Sequence, residues 1–172
     1  MTQFRVMSGT KTQSYNKGSQ DQIGTSPLGL ITFIDFQATE KFYFSFGTSF
    51  EMSTETYSTS GFTIYGSAMY YLYGAPGMVE SDTENMKMNL FYPYSVYASA
   101  GIFQKQIKIR SIDSEDSTIT KDLGGLQAGV GFNYNLNAKI YLTSHLQMLM
   151  SGMGSSSEYS STEFYIGLGL RL

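Results

Sequence analysis

Apolar residues recur at every second position along most of this chain. The clearest run is Phe42, Phe44, Phe46, Thr48, Phe50 and Met52, alternating with Lys41, Tyr43, Ser45, Gly47, Ser49 and Glu51. Successive side chains of a strand point to opposite faces, so this period predicts a strand with one greasy face and one polar face. The same period governs seven other stretches: residues 2–9, 28–37, 62–73, 94–103, 126–136, 140–151 and 163–172. In the last, Phe164, Ile166, Leu168, Leu170 and Leu172 oppose Glu163, Tyr165, Gly167, Gly169 and Arg171. Between the segments, Ala38–Glu40 and Asn137–Lys139 predict tight turns. The hydroxyl-rich and glycine-rich stretches Thr10–Ser26, Thr54–Ser60, Ser111–Asp122 and Gly152–Thr162 predict polar loops. A longer connection, Gly74–Tyr92, holds Ser81, Asp82, Thr83 and Glu84 at the spacing of a capping box, which predicts a helical turn through Asn85–Phe91.

The distribution of charge decides which face is the inside. The apolar faces run without interruption, while the opposite faces collect Arg5, Asp35, Lys41, Glu51, Lys105, Glu163 and Arg171, with His145, Tyr43, Tyr97 and Tyr141. A soluble barrel such as a lipocalin needs the reverse polarity. Charged residues make up 15% of the 172, well under the roughly 25% usual for soluble domains, yet no long apolar run is present to form a membrane helix. The reading that fits is all-β: an eight-stranded antiparallel up-and-down transmembrane β-barrel, built as one domain over residues 1–172, with both termini at the short-turn end. Phe44, Phe46, Ala98, Val130, Leu146 and Leu168 are then expected to face lipid. Past the fifth segment the phase fades at Ile107 and Ile109, which predicts a bulge or an extension above the membrane.

In its eight strands, its alternation of long and short connections and its closing strand Glu163–Leu172, the chain resembles the small eight-stranded bacterial outer-membrane barrels. The membrane domain of outer-membrane protein A and outer-membrane protein X belong to that family. The closing strand departs from the family in ending on Leu172, where an aromatic residue is typical. The resemblance implies a place in the outer membrane after removal of a signal peptide, contact with outer-membrane lipid and lipopolysaccharide, and a monomer whose loops meet a surface ligand or partner protein.

The chemistry on the inner face has two readings. Arg5, Asp35, Glu51, Lys105, Glu163 and Arg171 could line an ion path, or neutralise one another inside a barrel whose interior is just wide enough for side chains. Buried charges without partners are too costly to leave open, which favours the plug. His145 is the only histidine. Some barrels of this size are lipid A deacylases that use a strand-borne His, a Ser two residues on and a downstream Glu; here Gln147 stands where the Ser belongs, although Glu158 lies downstream. His145 also falls on the lumen face, away from lipid. With no cysteine and a net charge of −3, neither a thiolate metal site nor a nucleic-acid face is expected, and no cofactor is expected. The sequence therefore reads as a non-enzymatic, plugged outer-membrane barrel acting through its extracellular loops, with a small channel or a lipid A-modifying barrel enzyme as the alternative.

Overall fold

The computed structural model describes residues 1–17, 20–51, 59–74, 78–83, 86–110, 118–151 and 157–172. Ten strands follow one another: β1 (Thr2–Lys17), β2 (Gln20–Gln37), β3 (Phe42–Glu51), β4 (Thr59–Tyr73), β5 (Met78–Thr83), β6 (Met86–Phe91), β7 (Tyr94–Arg110), β8 (Thr118–Asn135), β9 (Ile140–Ser151) and β10 (Ser157–Arg171). Eight of them close a barrel in the ring order β1-β10-β9-β8-β7-β4-β3-β2, every pairing antiparallel. The closure joins the ends of the chain, since the amide of Leu172 donates to the carbonyl of Thr2 at 2.9 Å. Both termini therefore lie at the end of the short turns.

Local chemistry makes those turns. The Asn137 side-chain oxygen accepts from the amides of Lys139 and Ile140, both at 2.8 Å, and the Thr39 hydroxyl accepts from the amide of Phe42 at 3.2 Å. Short polar side chains thus bond their own backbone and reverse the strand within a few residues. Gly74, with φ of +67°, is the described residue that takes the left-handed region. A glycine pays no Cβ penalty there, and it turns the chain out of β4. A second special point lies on β1, where register against β2 shifts between Ser8 and Gly9. A Cβ at Gly9 would sit 1.8 Å from the Phe164 carbonyl oxygen, so only glycine fits.

Several expectations are corrected. Most of Thr10–Ser26 is strand: β1 runs to Lys17 and β2 starts at Gln20, paired through Lys17↔Gln20. Thr118–Asp122 belongs to β8, residues 157–162 to β10, and Thr59 and Ser60 to β4, while residues 52–58 lie outside the described residues. These stretches lack an apolar face, and the backbone ladder keeps them extended. The helical turn through Asn85–Phe91 is instead the strand β6, paired with β5 in a separate two-stranded sheet at the turn end; Glu84 and Asn85 lie outside the described residues. Around Ile107 and Ile109 the pairing of β7 with β8 runs in step from Tyr94↔Tyr134 to Arg110↔Thr118, so the strand extends there without a bulge. The irregularity falls at Tyr71/Tyr73, against β7. It turns Tyr73, expected inside, to the outer surface, where its ring stacks on Tyr94 with centroids 5.1 Å apart. Lys41, expected in the lumen, is exposed in the turn before β3.

Among the described residues the barrel strands differ in length. β3 has 10 residues and β9 has 12, against 15 to 18 for the other barrel strands. In the ring these two short strands sit opposite each other. The longer strands flank them as two walls, β2-β1-β10 and β8-β7-β4.

Candidate functional site

Alternation sorts the side chains into two populations. Outside, Phe44, Phe46, Val130, Leu146 and Leu168 are exposed, as are Phe36, Tyr70, Tyr94 and Tyr134 nearer the turns. Phe46 is 56% exposed and Leu168 52%, whereas Tyr43, Tyr97 and Tyr141 inside are all at 0%. The two outward hydroxyls Thr32 and Thr48 bond each other at 3.2 Å. The interior, with its charges and rings, is the candidate site.

Around Arg5 the geometry is tight. Its Nε and Nη2 donate to the two carboxylate oxygens of Asp35 at 2.7 and 2.8 Å, a fork on a fork. Ser45 donates to Asp35 at 2.6 Å. The guanidinium carbon lies 4.7 Å from the Phe33 ring centroid, and Nη1 donates across the lumen to the Tyr97 hydroxyl at 2.8 Å. From there one chain of bonds continues. Tyr97 contacts His145 Nδ1 at 3.1 Å, His145 Nε2 contacts Gln147 Oε1 at 3.2 Å, and Gln147 Nε2 donates to Glu163 at 2.7 Å. Because the Gln147 oxygen can only accept, His145 carries a proton on Nε2, and in a neutral imidazole Nδ1 then accepts from Tyr97. Every donor then points the same way, from the Arg5 cation toward the Glu163 carboxylate, and bonds aligned in this sense polarise one another. Glu163 also accepts from Tyr65 at 3.3 Å, from Ser161 at 3.3 Å and from Tyr165.

Toward the loop end, Glu51 is ion-paired with both Lys11 and Lys105. Lys105 donates further to the Tyr159 hydroxyl at 2.9 Å. Toward the turn end, Arg171 donates to Asn135 and to the carbonyls of Asn137 and Ala138, and its guanidinium lies 4.4 Å from the Tyr141 ring centroid.

Glycines make room for these rings. A Cβ on Gly131 would fall 2.0 Å from the Tyr97 ring, one on Gly169 would fall 2.0 Å from the Tyr141 ring, and one on Gly47 would fall 2.2 Å from the Phe33 ring. Each glycine is the cross-strand partner of the residue whose ring covers it. An aromatic side chain on one strand thus lies flat over its neighbour's backbone.

The structure brings Arg5, Asp35, Tyr97, His145 and Glu163 into one network, gives Glu51 and Lys105 to a second, and puts Arg171 and Tyr141 in a third, with Tyr43 buried among aromatic rings. Three members fell in stretches expected to be loop: Lys11, Tyr159 and Ser161. The signal for Lys11 was present, since Gln3, Arg5, Met7, Gly9 and Lys11 keep one parity. Among the described residues His145 bonds no serine hydroxyl, and no group of His, Cys, Asp or Glu could hold a metal ion.

This is the architecture of the small eight-stranded outer-membrane barrels. Neisserial surface protein A superposes with a TM-score of 0.62 at 14% identity, covering 98% of this chain and 97% of that one. The N-terminal β-barrel domain of Pseudomonas aeruginosa OprF gives 0.61 at 16% identity, over 98% and 96%. Ail, the attachment invasion locus protein of Yersinia pestis, gives 0.56 at 9% identity, over 98% of each chain; it has also been solved in complex with the heparin analogue sucrose octasulfate. No protein-family model and no curated protein sequence matches the chain.

Proposed function

We propose that this chain is a non-enzymatic integral protein of the bacterial outer membrane, a plugged barrel that acts through the end opposite its short turns. The observation that carries this reading is the interior itself. Its inward side chains are buried, and Arg5, Tyr97, His145, Gln147 and Glu163 are bonded to one another across the lumen, which leaves strands and rims as the surfaces able to meet anything else. In this reading the exposed phenylalanines and leucines lie in lipid, and the walls β2-β1-β10 and β8-β7-β4 lift the polar segments above it. A rigid scaffold that carries variable polar tips is suited to recognition. The Ail complex makes sucrose octasulfate a reasonable first ligand to try.

The refolded protein in planar bilayers is expected to show no steady single-channel steps, and no acyl chain release from lipopolysaccharide. Stable steps would make it a pore, and release lost on His145→Ala would make it an enzyme. Lipid exposure is tested at the wall: Phe46→Arg is expected to cost about 2–4 kcal/mol of stability in bilayers, because the charge must sit in hydrocarbon. Equal stability of Phe46→Arg and wild type in lipid vesicles would remove the wall from the membrane.

A further inference from the structure

At the turn end, β2–β3 and β8–β9 are joined by tight turns, whereas the connection from β4 to β7 carries the hairpin of β5 and β6. Register sorts the residues of this hairpin onto two faces. Val79, Ser81 and Thr83 share one face with their partners Leu90, Met88 and Met86, while Met78, Glu80 and Asp82 share the other with Phe91, Asn89 and Lys87. The charges on the paired residues, Glu80, Asp82 and Lys87, therefore all fall on the second face, where Asp82 stands opposite Lys87. The first face carries no charge. Val79, Met86, Met88 and Leu90 make it apolar, interrupted only by the hydroxyls of Ser81 and Thr83.

A two-stranded sheet by itself is at best marginally stable in water and needs a surface for its apolar face. Among the described residues β5 and β6 pack on each other and not along any barrel strand. The place of attachment indicates what covers them. The chain leaves and rejoins the barrel through Tyr73 and Tyr92, whose ring centroids are 6.4 Å apart. Tyr73 stacks on Tyr94 at 5.1 Å, and Tyr94 on Phe132 at 6.2 Å. Tyr73, Tyr94 and Phe132 are exposed on the outer wall, and tyrosines at the edge of an apolar band mark the boundary between membrane and water. Asn135 holds the returning arm at that level: its side-chain amide donates to the Tyr92 carbonyl at 2.6 Å and its backbone amide to the Pro93 carbonyl at 2.8 Å.

We propose that the β5–β6 hairpin docks on the lipid surface at the turn end, with the face of Val79, Met86, Met88 and Leu90 against the leaflet and the face of Glu80, Asp82 and Lys87 toward water. The proposal rests on the reading of the barrel as membrane-spanning. One apolar face, one charged face and an attachment at the boundary are the features of an element that lies in the interface plane. A second copy of the chain or another protein fits less well, because the hairpin is rooted where the bilayer is already the adjacent apolar medium.

The chain contains no tryptophan, so a single introduced indole reports its own surroundings without background. Met88→Trp and Leu90→Trp probe the apolar face, Asn89→Trp the charged face and Leu168→Trp the barrel wall, each in the full chain refolded into phosphatidylcholine vesicles. Using two positions on the apolar face keeps the test decisive if one variant does not fold. Emission is compared with and without bromine on the upper acyl carbons, the depth of about 5–10 Å that interfacial elements reach, and with iodide in the water. Met88→Trp and Leu90→Trp are expected to show blue-shifted emission that bromolipid quenches and iodide does not, whereas Asn89→Trp is expected to be quenched by iodide. An indole drawn to lipid by its own affinity would behave alike at positions 88 and 89, so the difference between the faces is the readout. Equal quenching by iodide on both faces overturns the proposal. Shielding from iodide without quenching by bromolipid overturns it too, since protein then covers the face. Leu168→Trp separates the two readings: quenched by bromolipid, it leaves the membrane barrel standing whatever the hairpin does, and unquenched, it removes the barrel from the membrane and this proposal with it.

Discussion

At mid-lumen Arg5 meets Asp35 through two parallel bonds, whereas at the loop end Glu51 is shared between Lys11 and Lys105. The first is a pair of neighbours, on β1 and β2, and its geometry comes from the planar fork of arginine. The second is a brace. Lys11 is on β1 and Lys105 on β7, which stand opposite each other in the ring, and Glu51 on β3 reaches both. A lysine is a point charge on a flexible stem, so one carboxylate can hold two of them without matching any plane. The difference shows how one narrow polar lumen meets two demands. Deep inside, where no escape exists, the cation has bidentate geometry and full satisfaction. Nearer the loop end, charges on long stems tie distant strands together, and these too are buried.

Removing Asp35 tests the deep pair most severely. Asp35→Asn leaves the Arg5 guanidinium buried with no anion, and the expected loss is about 3–5 kcal/mol in urea unfolding from lipid vesicles. A loss under 1 kcal/mol would mean that Tyr97 and the rings hold the cation by themselves. Glu51→Gln is expected to cost less, about 1–3 kcal/mol, since a flexible lysine stem can re-aim its ammonium group where a planar guanidinium cannot; if it costs as much as Asp35→Asn, the loop-end layer is held as firmly as the deep one. The smallest effect is expected from Gly131→Ala, at about 1–2 kcal/mol from overpacking against the Tyr97 ring. Tyr97→Phe on the Gly131→Ala background does not relieve it, because the clash is with ring atoms. Additive costs for Gly131→Ala and Tyr97→Ala, which removes the ring, in a double-mutant cycle would show that Gly131 and the ring do not interact.

Wherever the outer face is apolar, the chain declared its structure in advance. A strand in contact with lipid must be apolar at every second residue, so its phase can be read from sequence, and the inward charges Arg5, Asp35, Glu51, Lys105, Glu163 and Arg171 follow from that phase alone. Beyond the apolar band the signal disappears for a physical reason: Thr10–Lys17 and Thr118–Asp122 carry polar residues at both parities, and a strand held by ladder bonds with no apolar face has no period to show. Tyr159 was hidden in this way, whereas Lys11 continues the parity of Arg5 into a stretch that otherwise has no period. Local signals misled where pairing outweighed them. The capping-box spacing at Ser81–Glu84 favours a helix start, yet the pairing from Met78↔Phe91 to Thr83↔Met86 makes that segment a hairpin, and one bulge reversed the face of Tyr73.

What the sequence by itself determined was the period, the polarity of the two faces, the number of barrel strands and the turns at Ala38–Glu40 and Asn137–Lys139, because each is encoded within one segment. Only the tertiary structure decided which inward groups meet. That Glu51 lies between lysines of opposite strands, that Tyr97 covers Gly131 and links Arg5 to His145, and that Gln3 and Arg171 face each other beside Tyr43 all depend on the register of separate strands and on closure of the ring. Register is a property of pairs of segments, and no single segment records it.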